Sequence, residues 1–236
     1  MDINCDVGEG VYNEEAIMAY IDSCNIACGG HTGDEKSMTE TLRLAKKYGV
    51  RAGAHPSFED RPNFGRRVMK MPLELLRSQL ISQVSSLKEI ANREGMKLHH
   101  IKAHGALYNE AARSEDVARI LFEVAEHFRN DLCIFVPCGS IMEREADRLG
   151  VTYWREAFAD RNYDEDLNLL PRSDPKAVIL DPEEIRLRVL NMARENQVVA
   201  QGIKKPIKFD TICVHGDHPK ALEIVKILHD IKKGDR

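Results

Sequence analysis

The 236-residue chain lacks most of the short motifs by which a sequence declares its chemistry. It has no CxxC pair, which argues against a zinc ribbon. No GxGxxG follows the first strand-like run and no GxxxxGK[ST] occurs anywhere, so neither glycine-rich phosphate cradle is present. No GxSxG elbow occurs, which speaks against a serine acyl-enzyme. No apolar run reaches the roughly 18–20 residues that span a bilayer. The N-terminal "MDINCDVGEG" has neither the basic nor the apolar region of a secretory signal. Excess positive charge is also missing. The net charge of -4 and pI near 6.2 leave no electrostatic footprint for nucleic acid or an anionic membrane. The expectation is a cytoplasmic protein. Its six cysteines, Cys5, Cys24, Cys28, Cys133, Cys138 and Cys213, are then expected as buried, reduced thiols.

What is present is a steady alternation. The chain is 43% hydrophobic and 31% charged, enough for a sizeable core, and shows no internal linker, so residues 1–236 read as one domain. Short apolar runs read as buried strands: "DINCD", "SCNIAC", "VRAGAH", "LHHIKAH", "LCIFVPC", "VTYWREA" and "DTICVH". They look apolar on both faces, as strands covered on both sides do. Helical patterns lie between them. Asp34 or Thr32 can cap a helix that stops at Gly49, and Pro72 precedes one that ends before Gly95. Ser114 and Ser140 each open a helix, "DPEE" at 181–184 opens another, and Pro219 opens the last. Strand–helix repetition predicts βαβ units and a parallel sheet. A closed barrel and an open doubly wound sheet both fit. An eight-unit barrel takes about 250 residues, so a barrel here is a compact one. Two loops are long, 55–67 and 160–176, and both follow strands.

The strand ends share a character. Asn4, Asp6 and Glu9 follow the first run, and Asn25 and His31 the second. His55, then Arg66 and Arg67, follow the third, and Lys102, His104 and Tyr108 the fourth. Pro137 and Cys138 end the fifth. Glu156, then Asp160, Arg161 and Tyr163, follow the sixth, and His215 and Asp217 the last. In a parallel sheet these ends converge on the face that carries active sites. Taken singly, each has an ordinary structural explanation: a hydrogen-bonding histidine, a loop-capping Asp6, solvated arginines, a Lys102 in an ion pair. Recurrence at five or more strand ends is what marks a site.

The chemistry of the set follows from residue type. The carboxylates Asp6, Glu9 and Asp160 and the imidazoles His55, His104 and His215 can activate water and protonate a leaving nitrogen. Lys102 can stabilise a developing oxyanion. These seven form the catalytic set. Asn25, His31, Arg66, Arg67, Tyr108, Arg161 and Asp217 form the substrate-binding set, with an arginine placed to hold a carboxylate or phosphate. A divalent metal on Asp6, His55 and His104 is open on ligand type alone, since no pair has the short spacing of a metal motif. In "HHIKAHGALYN", Lys102 and His104 stand two residues apart and leave one face of the strand. They are expected to face the same pocket as Asp6 and His55, with Tyr108 and Asn109 on the rim beyond a Gly105 turn.

Six segments, "NCDVGEG", "NIACGGHTGD", "GAHPSFEDRPNFGRR", "IKAHGALYN", "REAFADRNY" and "DTICVHGDHP", resemble the LamB/YcsF family in this order, from residue 4 to residue 219. Departures such as Ala103 and Gly30, where the family has proline and an aromatic, remove no candidate catalytic group. The resemblance implies an irregular seven-stranded (β/α) TIM-like barrel of the glycoside hydrolase/deacetylase type. It implies a hydrolase serving as the A component of a 5-oxoprolinase: ATP-dependent opening of the 5-oxoproline lactam to L-glutamate, together with the B and C subunits. With no Walker A motif here, ATP is expected to bind largely on the partners. A divalent metal is suggested only through the distant deacetylases. Two other readings stand beside this one. The first is a stand-alone metal-dependent amidohydrolase or carbohydrate deacetylase. The second is a non-catalytic component that binds the substrate.

Overall fold

In a computed structural model, which describes residues 1–11, 13–128 and 132–234, all seven apolar runs are parallel strands. They are β1 (Asp2–Val7), β2 (Ser23–Ala27), β3 (Arg51–His55), β4 (His100–Ile101), β5 (Cys133–Pro137), β6 (Tyr153–Phe158) and β9 (Thr211–Val214). They close into a barrel in the order β1-β2-β3-β4-β5-β6-β9, with β9 pairing in parallel to both β6 and β1. The barrel is irregular at β4, only two residues long. Beyond it the Lys102 and His104 amides still donate to the Ala54 and Pro56 carbonyls at 2.9 and 2.8 Å, which keeps this segment beside β3. Closure thus resolves the two architectures left open by the strand–helix pattern, and the barrel itself has no edge for pairing.

The connecting helices begin and end for local reasons. In α2 (Glu35–Tyr48), Asp34 and Ser37 form a reciprocal capping box and Gly49 ends the helix in the left-handed conformation. Ser114 caps α5 (Glu115–His127), and Ser140 caps α6 (Ile141–Leu149). Asp181 caps α7 (Pro182–Glu195), with Pro182 in its first turn. The long α3 (Leu73–Arg93) and the last helix, α8 (Ala221–Gly234), complete the outer layer. Leu80, Leu87, Leu121, Ile185, Val189 and Leu228 are fully buried in the core beneath them. Each such side chain stabilises the fold by roughly 1.5–3 kcal/mol. Three features go beyond what the sequence pattern predicts. They are the short α1 (Glu14–Met18), α4 (Gly105–Arg113) in place of a turn, and an antiparallel hairpin of β7 (Gln197–Ala200) and β8 (Ile203–Pro206) outside the barrel. All six cysteines are buried and unpaired, as expected.

The strands are not apolar on both faces. Ile3, Cys5 and Val7 of β1 join the outer core, whereas Asn4 and Asp6 bond across the barrel. Asn4 Nδ2 donates to Glu156 Oε1 at 2.9 Å and to Thr211 Oγ1 at 2.8 Å. Asn25 Nδ2 donates to Asn4 Oδ1 and Asp6 Oδ1, both at 2.8 Å. Gly53 leaves room for the His100 ring, because a Cβ there would fall 2.2 Å from its Nε2. The ring therefore reaches Asn25 Oδ1 at 2.7 Å and stacks on Phe135. At the N-terminal mouth, Asp2 accepts from Ser23, Thr211 and Arg51, and Arg51 lies over Trp154. The barrel interior is thus a hydrogen-bonded polar core.

Candidate active site

Above that core, Lys102 Nζ donates to Asp6 Oδ1 at 2.8 Å and to Cys213 Sγ at 2.9 Å, and stands 3.1 Å from Glu156 Oε1. Burial works against the ammonium, but Asp6, Cys213 and Glu156 raise its pKa well above the usual lysine range. Burial likewise works against the Asp6 carboxylate, and Lys102 and His55 hold it well below its ordinary value. Asp6 and Lys102 are a buried ion pair. Glu156 Oε2 and the Tyr108 hydroxyl are buried without a hydrogen-bond partner among the described residues, an exception to the rule of satisfied polar groups.

Beside the pair stands a histidine group drawn from four βα segments. His55 ends β3, and its Nδ1 bonds the Lys102 carbonyl at 2.8 Å. His104 precedes α4, and its Nε2 bonds the Phe64 carbonyl at 2.9 Å. The remaining nitrogens, His55 Nε2 and His104 Nδ1, face each other at 3.0 Å. His31 stacks on His104 with ring centroids 3.7 Å apart, and its Nε2 lies 2.9 Å from Glu9 Oε1. Glu9 is held by its loop: the Gly8 and Glu9 amides both donate to Glu14 Oε1. Burial, with His55 adding to it, pushes His31 down to about 2; burial, with His55 and His31, pushes His104 well below the usual range. Burial and the neighbouring Asp6 and Asp217 carboxylates raise Glu9. Glu9, His31, His55 and His104 each bring one ligand-type atom within 4.8 Å of the others. Such a nitrogen-rich set with one carboxylate fits zinc or a similar ion. The expected trio named Asp6 in place of Glu9. In the structure Asp6 Oδ1 also comes within 3.5 Å of His55 Nε2, but that oxygen already accepts from Lys102 and Asn25.

Across the mouth, His215 Nδ1 lies 3.0 Å from Asp160 Oδ2, which also accepts from the His215 amide at 3.2 Å. Burial opposes the Asp160 charge, yet His215 draws the carboxyl down to about 2. His215 Nε2 makes no hydrogen bond among the described residues. Asp160 thus fixes the ring and leaves the second nitrogen for the cavity that His215 lines. At the rim, Arg66 Nη2 donates to Asp217 Oδ2 at 2.6 Å and Arg172 Nη1 to the same oxygen at 3.2 Å. Two long loops and the end of β9 meet at this carboxylate.

These groups surround a cavity of about 310 Å³. Asp6, His55, Lys102 and His104 all line it, so the four residues expected to share a pocket do so. Arg66, Tyr108, Arg161 and His215 line it as well. Glu9, His31, Asp160 and Asp217 stand behind the lining and bond to groups in it or near it. Asn25 lies below, inside the barrel. Arg161 is turned to the backbone, donating to the Leu170 and Ala177 carbonyls, and thereby shapes the 160–176 loop. Tyr108 sits on α4 and is buried, not on an exposed rim. Arg67 is exposed and outside the cavity. Sequence reasoning missed Arg172, Phe158 and Cys213. Arg172 had one weak signal, its place in a long loop after a strand.

Comparison with known proteins gives this site a setting. Residues 1–235 match the LamB/YcsF family. The chain is 43% identical over 237 residues to the 5-oxoprolinase A subunit of Pyrococcus horikoshii, covering 98% of this chain and 93% of that one. It is 44% identical over 230 residues to the protein of the same name from Pyrococcus furiosus, covering 95% and 90%. The crystal structure of the lactam utilization protein from Thermus thermophilus superposes with a TM-score of 0.91 at 36% identity, covering 100% of this chain and 96% of that one. Among the described residues no helix is long and apolar enough to cross a membrane. The family resemblance of the six strand-end segments therefore extends over the whole barrel, and the chain belongs to the LamB/YcsF family.

Proposed function

We propose that this chain is the lactam-opening component of an ATP-dependent 5-oxoprolinase, a hydrolase that works with B and C subunits. The observation that carries the reading is the cavity itself. It sets an aspartate-held imidazole, His215, across from a carboxylate-held ammonium, Lys102, in a chain whose relatives are named for this activity.

A five-membered lactam is an unreactive amide and needs activation. Transfer of the ATP γ-phosphoryl group to the amide oxygen releases ADP and makes the carbon electrophilic. Partner subunits supply the nucleotide site, since this chain has no phosphate loop. Water then adds to that carbon and the carbon–nitrogen bond breaks as the ring nitrogen takes up a proton. The resulting γ-carboxyl phosphate is hydrolysed by a second water to L-glutamate and phosphate. His215 Nε2 moves the protons, with Asp160 fixing the tautomer. Lys102, kept charged by Asp6, faces the negative charge that develops on oxygen. Arg66 and Arg172 at the rim meet the substrate carboxylate. A divalent ion at the histidine group would add Lewis-acid polarisation of the lactam oxygen.

The test is reconstitution. Glutamate release and 5-oxoproline-dependent ATP hydrolysis are measured with the B and C subunits, with and without this chain. Glutamate release should require it. Release unaffected by its omission rejects the reading. The histidine group favours one competitor, a metal-dependent amidohydrolase that acts alone. That competitor predicts lactam or amide cleavage without ATP and without partners.

A further inference from the structure

Two ring nitrogens, His55 Nε2 and His104 Nδ1, face each other at 3.0 Å in a buried site. Which of them carries a proton is decided on the far side of each ring. His55 Nδ1 is 2.8 Å from the Lys102 carbonyl and His104 Nε2 is 2.9 Å from the Phe64 carbonyl. A carbonyl only accepts, so both outer nitrogens carry their hydrogens. That tautomer leaves both inner nitrogens as lone pairs pointed at one another. Glu9 Oε1, a third acceptor, lies 3.5 Å from His104 Nδ1 and 3.9 Å from His55 Nε2. Three converging acceptors repel one another unless a cation lies among them. Histidines whose second nitrogen donates to a backbone carbonyl are the usual form of metal-binding histidines.

We propose that His55 Nε2, His104 Nδ1 and Glu9 bind one divalent transition-metal ion of the zinc type, and that His31 positions Glu9. Two ligands about 2.0–2.1 Å from a tetrahedral ion stand roughly 3.3–3.4 Å apart, so the nitrogen pair at 3.0 Å needs to open by only a few tenths of an ångström. Glu9 lies a few tenths of an ångström beyond that spacing. His31 is not a fourth ligand. Its ring is within 3° of parallel to His104 and 3.7 Å away, so one ion cannot lie in the planes of both rings. His31 Nε2 instead holds Glu9 Oε1 at 2.9 Å. His55 and His104 both line the cavity, so the fourth position opens toward it. Three protein ligands and one open position are the pattern of a catalytic rather than a structural zinc site.

The test needs neither substrate, ATP nor partners, so its failure and that of the proposed reaction are distinguishable. Full-length protein is stripped with a chelator and titrated with Zn²⁺ by calorimetry, and with Co²⁺ by visible absorption. One equivalent should bind, with the absorption of a four-coordinate cobalt–nitrogen site. His104→Ala should abolish binding. Glu9→Gln, nearly isosteric and expected to fold, should weaken it strongly. His31→Phe should cost about 10–100-fold in affinity, as outer partners of metal ligands do. Asp6→Asn should keep the stoichiometry at one. Circular dichroism confirms that each variant is folded. The proposal is overturned if folded wild-type protein takes up neither ion, which leaves the two histidines sharing a proton. It is also overturned if Asp6→Asn abolishes binding while Glu9→Gln does not.

Discussion

Lys102 Nζ lies 2.8 Å from Asp6 Oδ1, with 3% and 5% of the two side chains exposed. This pair joins β1 to the end of β4 across the barrel, and the same ammonium stands 3.1 Å from Glu156 Oε1. Replacing the lysine leaves two buried carboxylates without a counter-charge. Lys102→Met should therefore destabilise the protein by about 3–5 kcal/mol, the usual cost of breaking a buried pair from one side. The exposed pair of Lys36 and Glu40, 4.0 Å apart, supplies the control. Lys36→Met should change stability by less than about 1 kcal/mol. Urea unfolding of both variants decides the matter. Equal midpoints would show that the interior pair carries no special weight.

The Asp160–His215 pair predicts a pH dependence. His215 lowers the Asp160 carboxyl to about 2 against the opposing effect of burial, whereas an unfolded aspartate titrates near 3.9. A carboxyl with a depressed folded pKa stabilises the fold fully above the unfolded value and loses that contribution as pH falls through the folded one. The stability advantage of wild type over Asp160→Asn should thus be constant above about pH 5 and shrink between about pH 4 and 2. Urea midpoints from pH 7 to pH 2 give the difference. A gap that widens on acidification contradicts the assignment. The same variant should lose most turnover at neutral pH, because an amide can hold the wrong histidine tautomer.

Gly65 tests how tightly the 55–67 loop seats the histidines. Its φ is +63°, and a Cβ there would come 2.9 Å from His31 Cβ and 3.0 Å from His104 Cδ2. Its carbonyl also accepts from the Ala106 amide at 2.9 Å, tying the loop to the start of α4. Gly65→Ala should cost about 1–2 kcal/mol through the left-handed backbone alone. Displacement of His104 should add a loss of activity larger than that destabilisation explains. Thermal melts and assays on the same samples separate the two effects. Full activity with an unchanged melting temperature would mean that the loop yields freely.

The strands were legible because short β-branched runs alternate with capped helices, and all seven recur as barrel strands. Closure into a seven-stranded barrel was implied by the family resemblance and is what the structure shows, but the alternation alone did not give it. Strand–helix alternation constrains neighbours, whereas closure depends on β9 meeting β1, more than two hundred residues away in sequence. The polar interior was also hidden. The polar–apolar alternation is present in β1, where Asp2, Asn4 and Asp6 share one face, and in β2, where Ser23 and Asn25 do, but cysteine and isoleucine between them made the runs read as uniformly apolar. The convergence of Asp6, His55, Lys102 and His104 was legible, since parallel strands send their C-terminal ends to one mouth. The Glu9, His31, His55 and His104 group was not, because its members come from four separate segments with no fixed spacing. Arg172 could not be chosen from the charges around it, as its partner Asp217 is 45 residues further on.

Neighbouring arginines give the sharpest test of the rim. Arg66 lines the cavity and bonds Asp217, while Arg67 is exposed and does not line it. Composition and position in sequence treat the two alike, so any difference between them reflects the fold. If the rim binds the substrate carboxylate, Arg66→Ala should raise the KM for 5-oxoproline about tenfold or more. That corresponds to roughly 1.4 kcal/mol, at the lower edge of what a charge-assisted hydrogen bond contributes. Turnover should change much less, since the carboxylate is bound alike in ground and transition states. Arg172→Ala should behave as Arg66→Ala does, because both guanidiniums converge on Asp217. Arg67→Ala should leave KM within about twofold, as for a solvated surface charge. Steady-state kinetics of the reconstituted enzyme measures all three. Equal effects at positions 66 and 67 would remove the rim from substrate binding and leave Asp217 with a purely structural role, latching the two long loops together.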